Sequence, residues 1–267
     1  MLASSVRHDG RSAATSEAVY PDLCARRVFI TGGGSGIGAA LVEAFVRQGA
    51  HVAFVDINAD VSHALVDRIR DLGPAPWWRR CDVTDVHSLQ QAITDAAQAL
   101  GALDVLVNNV GSDDRHALED VTPVYWEQRI GINQRAAFFA IQAVVPGMRR
   151  QGRGSIINLG STGWQTKNAG YPCYAMAKSS MNGMTRGMAK SLGEHRIRIN
   201  VLSPGWVMTE RQRMLWLTAE SEKELMENQC LPDKIMPADI ASMALFLASD
   251  ASRACTAQEF VVDAGWT

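Results

Sequence analysis

The stretch GYPCYAMAKSS, residues 170–180, sets two tyrosines against one lysine. Lys178 follows Tyr174 by four residues and Tyr171 by seven. On a helix, side chains at i and i+4 share a face, so Tyr174 and Lys178 can address one bound group. Pro172 makes Tyr171 a poor helix-interior residue, which leaves Tyr174 as the candidate base. A free phenol ionises near pH 10, so acting as a base near neutrality requires about 4 kcal/mol from its surroundings, and a neighbouring ammonium works in that direction. Ser161 stands at the end of the run SIINLGS, thirteen residues before Tyr174. Its hydroxyl could bond a substrate oxygen and stabilise negative charge developing there.

A second constellation lies near the start of the chain. In RRVFITGGGSGIGAAL, Gly32, Gly33, Gly34, Gly36 and Gly38, with Ser35 and Ile37 between them, separate a strand pattern from a helix pattern. Glycine is needed where backbone turns with positive φ or approaches a ligand closely, and a helix amino end offers free N–H groups to a pyrophosphate. HVAFVD then ends in Asp56, twenty residues after Gly36. A carboxylate there can bond both hydroxyls of an adenosine ribose, although a solvated turn acid is the plainer reading. It would also repel a 2′-phosphate. Ser35 and Ile57 stand where a basic residue could have neutralised one, so NAD is expected over NADP. Asp82, ending RRCD, is either a partner for the adenine amino group or a loop acid. VNNVG places Asn109, Val110 and Gly111 where they could line a nicotinamide, whose positive oxidised ring would add to the effect of Lys178 on Tyr174.

These residues need elements to hold them. RRVFIT, HVAFVD, PWWRRCD, LDVLVNN, SIINLGS, IRINVLS and EFVVDAG read as seven strands, with helical patterns over 36–48, 60–72, 86–100, 123–150, 173–194 and near 237–249. Strands alternating with helices imply right-handed crossovers and a parallel sheet covered on both faces. The expectation is an α/β fold: one doubly wound Rossmann-type domain over residues 21–267. Residues 206–232 break the rhythm and suggest a small helical substrate lid, or else a subunit contact.

At 267 residues, 47% hydrophobic and 20% charged, the chain suits one globular domain. A formal charge of −2 gives no reason to expect nucleic acid or an anionic membrane, and no apolar run reaches the roughly 18 residues needed to span a bilayer. The Ser/Ala/Arg-rich residues 1–20 suit a disordered tail. Five scattered cysteines without a CxxC fit free thiols in the cytoplasm, and the histidines lack metal-ligand spacing, so no metal is expected.

From about residue 24 the chain resembles the short-chain dehydrogenase/reductase family. TGGGSGIG, CDV, NNVG, GINQR, GSTG with YAMAK, RINVLSPGWVMT and VVDAGW fall in the family's order. Val110 replaces the usual alanine of NNAG, and DAGW the common DGG ending. The resemblance implies a fourth catalytic residue, Asn133 of GINQR, serving a proton path from Lys178. It also implies that Val83 belongs to the cofactor site, and that Pro204, Gly205, Val207 and Thr209 close over the nicotinamide. A tetramer joined through helices 123–150 and 173–194 is common in the family.

Within the family, YPDL, GSDDRH, ERQRMLWLT, QCLPDKIMP and DAGW are most similar to bacterial sugar 1-dehydrogenases of the D-xylose type. A pyranose needs flat aromatic surface and fixed donors and acceptors. Trp164, Gln165 and Asn168 after Ser161, with Trp206 and Arg211 in the lid, supply those types. The expected reaction is oxidation of an aldose at C1 to a lactone. Two rivals are a family member acting on a 3-oxoacyl, ketone or steroid carbonyl, and a non-catalytic dinucleotide-binding sensor.

Overall fold

The structure, a computed structural model, describes residues 18–267. Of the expected tail, residues 1–17 lie outside the described residues. Ala18 and Tyr20 are tied to the end of the first helix, where the Tyr20 N–H donates to Gln48 Oε1 and Gln48 Nε2 donates to the Ala18 carbonyl.

The chain then alternates β1 (Arg27–Thr31), α1 (Gly36–Arg47), β2 (His51–Asp56), α2 (Ala59–Ile69), β3 (Trp77–Arg80), α3 (Val86–Leu100) and β4 (Val105–Asn108). It continues through α4 (Pro123–Ile130), α5 (Ala136–Gln151), β5 (Gly154–Leu159), α6 (Pro172–Gly193) and β6 (Ile197–Pro204). The remainder is α7 (Glu210–Leu215), α8 (Ala219–Asn228), α9 (Pro237–Ala248) and β7 (Glu259–Val262). The seven strands form one parallel sheet in the order β3-β2-β1-β4-β5-β6-β7. The order reverses direction between β1 and β4, which opens a crevice at their carboxyl ends.

The apolar strand runs follow from burial on both sides. Val28, Ile30, Val52 and Phe54 face the layer of α1, α2 and α9, while Phe29, Ala53 and Val55 face that of α3, α5 and α6. A strand with one solvated face would have alternated with polar residues instead. Local chemistry starts several helices. Asn58 accepts from the N–H groups of Asp60 and Val61, Asp85 from Ser88, and Thr122 from Tyr125. Among the described residues, no helix is long and apolar enough to cross a membrane, and all five cysteines are free.

The helix expected to run unbroken over 123–150 contains a π-helical turn at Gly131–Arg135. The extra residue in that turn rotates α5 relative to α4, and such turns frequently mark functional sites. Asn133 lies within it, 2% exposed.

Candidate active site

A cleft of about 1300 Å³ runs along the carboxyl edge of the sheet, from the first βα turn to the segment after β6. At one end, α1 begins at Gly36 behind Ser35, which makes no side-chain cap bond, so the first helix N–H groups remain available to a ligand. Gly36 has φ +55°, and a Cβ on Gly38 would lie 1.8 Å from the Gly32 carbonyl oxygen, so neither position admits a side chain without rearrangement. Asp56 organises the loop. One carboxylate oxygen accepts from the Gly34 N–H at 2.9 Å and the other from the Asn58 N–H at 2.9 Å. Each oxygen retains a further acceptor site.

Thr31 and Asn109 stitch β1 to β4 beside this loop. Thr31 Oγ1 accepts from the N–H groups of Asn109 and Val110, while Asn109 Nδ2 donates to the carbonyls of Thr31 and Gly32. Gly32, Ser35, Gly36, Ile37 and Gly38 line the cleft, as do Asp56, Asp82 and Val83. Asn109, Val110 and Gly111 form its middle, and Pro204, Gly205, Val207 and Thr209 face them from beyond β6. Gly34 lies behind the lining, held by Asp56. Free helix N–H groups, a side-chain-free cradle and a carboxylate at the next strand end form a donor and acceptor set that fits a dinucleotide.

Ser161, Tyr174 and Lys178 meet at the other end of the cleft. Ser161 follows β5 and accepts from the Gly163 N–H at 3.1 Å, which fixes its hydroxyl beside the Tyr174 phenol. The Lys178 Nζ lies 6.0 Å from the Tyr174 ring centre and donates to the Leu159 carbonyl at 2.8 Å and the Val110 carbonyl at 3.5 Å. Enclosure raises the phenol well above its ordinary value, and the Ser161 hydrogen bond draws it back. Burial pulls the Lys178 ammonium down to about 8. The sequence reading expects Lys178 to acidify Tyr174; in the fold the ammonium donates to main-chain carbonyls, and burial penalises the charged forms of both groups. Ser161 and the Arg115 guanidinium favour the phenolate, and the positive ring of an oxidised nicotinamide would add to them.

Asn133 does not line the cleft. Its Nδ2 donates to the carbonyls of Ser112 and Arg129, and its Oδ1 accepts from the Ser112 N–H at 2.8 Å. The π-helical turn thereby pins the loop after β4 from beneath.

The expected sugar contacts divide. Asn168, Trp206 and Arg211 line the cleft, but Trp164 and Gln165 do not. Ser161 caps a 3-10 turn, Thr162–Trp164, that buries Thr162 and Gly163 and leaves Trp164 38% exposed. Arg211, read as a sugar donor, is committed to the carboxylates of Asp113 and Asp114. Gln212 Nε2 also donates to Asp113, and Trp206 Nε1 donates to Gln212 Oε1. The segment after β6 is thus latched to the loop after β4. Asp113, Arg115, Tyr171, Trp216 and Trp266 line the cleft as well. The Arg115 guanidinium lies 4.2 Å from the Tyr171 ring centre and 5.0 Å from that of Trp216, and Tyr171 meets Tyr174 edge-on. The available signal for Asp113 and Arg115 was the charged run DDR beyond a strand's carboxyl end.

Residues 32–267 match the family model described as enoyl-(acyl carrier protein) reductase. "Probable galactose dehydrogenase GalD" of Rhizobium meliloti (strain 1021) is 47% identical over 247 residues, 92% of this chain and 96% of that protein. D-xylose 1-dehydrogenase of Caulobacter vibrioides (strain NA1000 / CB15N) is 44% identical over 251 residues, covering 94% and 99%. A solved 7α-hydroxysteroid dehydrogenase, complexed with NADH and 7-oxo glycochenodeoxycholic acid, superposes with a TM-score of 0.87 at 32% identity, covering 92% and 96%. The chain belongs to the short-chain dehydrogenase/reductase family. It is an NAD(P)-dependent oxidoreductase.

Proposed function

We propose that the protein oxidises the C1 hydroxyl of an aldose, a pentose such as D-xylose or L-arabinose or else D-galactose, to the lactone, with NAD as the oxidant. The carrying observation is the 44–47% identity to a D-xylose 1-dehydrogenase and a galactose dehydrogenase over more than nine-tenths of the chain. The polar, aromatic-walled end of the cleft supports it, since Asp113, Arg115, Asn168 and Trp216 suit a polyhydroxylated ring better than an acyl chain or steroid.

NAD, when bound, accepts the hydride leaving C1. Tyr174 takes the proton of the anomeric hydroxyl, and Ser161 holds the substrate oxygen through its oriented hydroxyl. Lys178 binds the nicotinamide ribose, and Asn133 supports proton release by holding the loop over Lys178. Asp56, presenting acceptors and no cation, favours a free ribose 2′-hydroxyl over a phosphate. Exposed apolar side chains on α4, α5 and α6, including Trp126, Phe138 and Met176, support a homotetramer joined through these helices. Such an enzyme would work in the cytoplasm.

The test is a substrate panel followed through NADH absorbance, with aldoses and NAD on one side and acetoacetyl thioester and cyclic ketones with NADH on the other. Turnover of an aldose is expected. Turnover only of the thioester or ketones would replace the aldose reading, and cofactor binding without turnover of anything would turn the protein into a sensor. With the aldose in hand, Tyr174→Phe should bind NAD normally and lose roughly 10²- to 10⁴-fold in kcat.

A further inference from the structure

The helix that carries Tyr174 lacks an amino-terminal cap of its own. Its N-cap residue, Tyr171, makes no side-chain cap bond, so the first N–H groups of α6 need partners from elsewhere. His116, far away in sequence, supplies one. Its Nε2 accepts from the Cys173 N–H at 3.2 Å, in the peptide unit next to Tyr174. The His116 main-chain N–H also donates to the Gly170 carbonyl at 2.9 Å, so this loop grips the start of α6 at two points.

The partners fix the state of the ring. A backbone N–H can only donate, so Nε2 must keep its lone pair and the neutral ring carries its proton on Nδ1. Nδ1 lies 2.9 Å from the Asp114 carbonyl oxygen, which can only accept, and 3.0 Å from the Tyr125 hydroxyl. The surroundings favour this arrangement from every side. Tyr125 on α4 meets the imidazole edge-on with ring centres 4.9 Å apart, and the Arg129 guanidinium lies over the other region of that tyrosine, 5.1 Å from its centre. Asp114, from the ring's own loop, points its carboxylate at Arg129 and Arg211 and offers His116 only its carbonyl. From α6 comes Cys173, whose thiol burial pushes up, so it remains uncharged. Arg115, adjacent in sequence, is turned onto Tyr171 and Trp216.

We propose that His116 is a positioning residue for the reaction. As the neutral Nδ1–H tautomer, it caps α6 through Cys173 and so fixes the phenol of Tyr174 against Ser161. Without that acceptor the first turn of α6 is released and turnover falls. The inference rests on Tyr174 being the acid–base group, not on which alcohol is oxidised.

Three readouts test it, with whichever aldose the substrate panel identifies. His116→Leu removes the acceptor and should lower kcat by about tenfold or more, since small misplacements of a catalytic group are costly, while the dissociation constant for NAD stays unchanged. Hydrogen exchange of peptides spanning 170–176 should speed up in this variant. His116→Gln retains a side-chain acceptor. It should restore most of the lost kcat and return exchange over 170–176 toward the wild-type rate. The proposal is overturned if His116→Leu keeps wild-type kcat and exchange, or if His116→Gln, with NAD affinity intact, falls about tenfold or more below the wild type in kcat. The second criterion stands even if the leucine variant does not fold. Absence of aldose turnover would sink the substrate assignment but leave the exchange measurement to decide the role of His116.

Discussion

Lys178 and Asn133 close on the same small space beside Gly111. A Cβ built on that glycine would stand 3.0 Å from the lysine Nζ and 3.3 Å from the asparagine Oδ1. Gly111→Ala therefore tests the placement of the ammonium without altering either polar side chain. The nearest obstacle is the tip of a flexible chain, so folding should survive. Lys178 should be displaced, with a fall in kcat of at least about tenfold, equivalent to 1.4 kcal/mol in the barrier. Steady-state kinetics beside a thermal melt separate the outcomes. A normal kcat would mean that turnover tolerates a shifted lysine.

Burial of Lys178 also has a thermodynamic signature. Its folded-state value of about 8 lies below the ordinary 10.5, so between those pH values the unfolded chain holds more protons than the folded one. Stability should therefore rise with pH across that window, by about 1.4 kcal/mol per unit at most. Below it both states are protonated and the penalty for burying the charge is fully felt. Lys178→Met removes this slope, whereas the cost of orphaning the Leu159 carbonyl is the same at every pH and cancels. Urea melts of both proteins from pH 7.5 to 10 provide the comparison. The opposing drift from Cys81, whose buried thiol is raised to about 11, is common to both. Parallel stability curves would show that the ammonium is better solvated than its burial indicates.

Asp56 joins two tasks, holding the glycine loop through Gly34 and presenting acceptors toward the cleft. Asp56→Ala should lower kcat/KM for NAD by roughly 10- to 100-fold, the worth of charged hydrogen bonds, and should narrow the preference over NADP. Kinetics with both cofactors give the answer. If the wild type already prefers NADP, or if the variant loses both equally, the carboxylate serves the loop alone.

The central strands were legible because they are buried on both faces and must be largely apolar, as HVAFVD and SIINL are, whereas the edge strand β3, WWRR, keeps two exposed arginines. The helix over 172–193 was legible from Pro172 at its start and the Tyr174–Lys178 interval. The π-helical turn at 131–135 was not, since no residue in GINQR forces an extra residue per turn, and its support comes from Ser112 in a distant loop. Trp164 shows the limit of proximity in sequence: three residues after Ser161, it is carried away from the cleft by a turn that Ser161 itself caps. Arg211 shows the limit of residue type, because a donor suited to a sugar is equally suited to two aspartates across the cleft. His116, Arg115 and Tyr171 act through contacts between segments some 55 residues apart, which local spacing does not encode.

Recognition of the substrate ring can be tested at Trp216. Its indole N–H is buried without a hydrogen-bond partner, although buried tryptophans usually find one, and the side chain lines the cleft. The nitrogen is closed off from the open cleft, so a sugar hydroxyl reaches it only where the lid adjusts around the ligand. Trp216→Phe keeps most of the aromatic face beneath Arg115 and removes only the donor. It should raise KM for the aldose by roughly two- to tenfold, the worth of one neutral hydrogen bond, with little change in kcat. Trp216→Ala should cost more, because Arg115 then loses one of its two aromatic surfaces. Arg115→Met combined with Trp216→Ala should fall short of the sum of the single effects, as expected for residues in contact. Additive losses, or a phenylalanine variant with wild-type KM on every aldose tested, would remove Trp216 from the sugar site and leave its indole as part of the lid's packing.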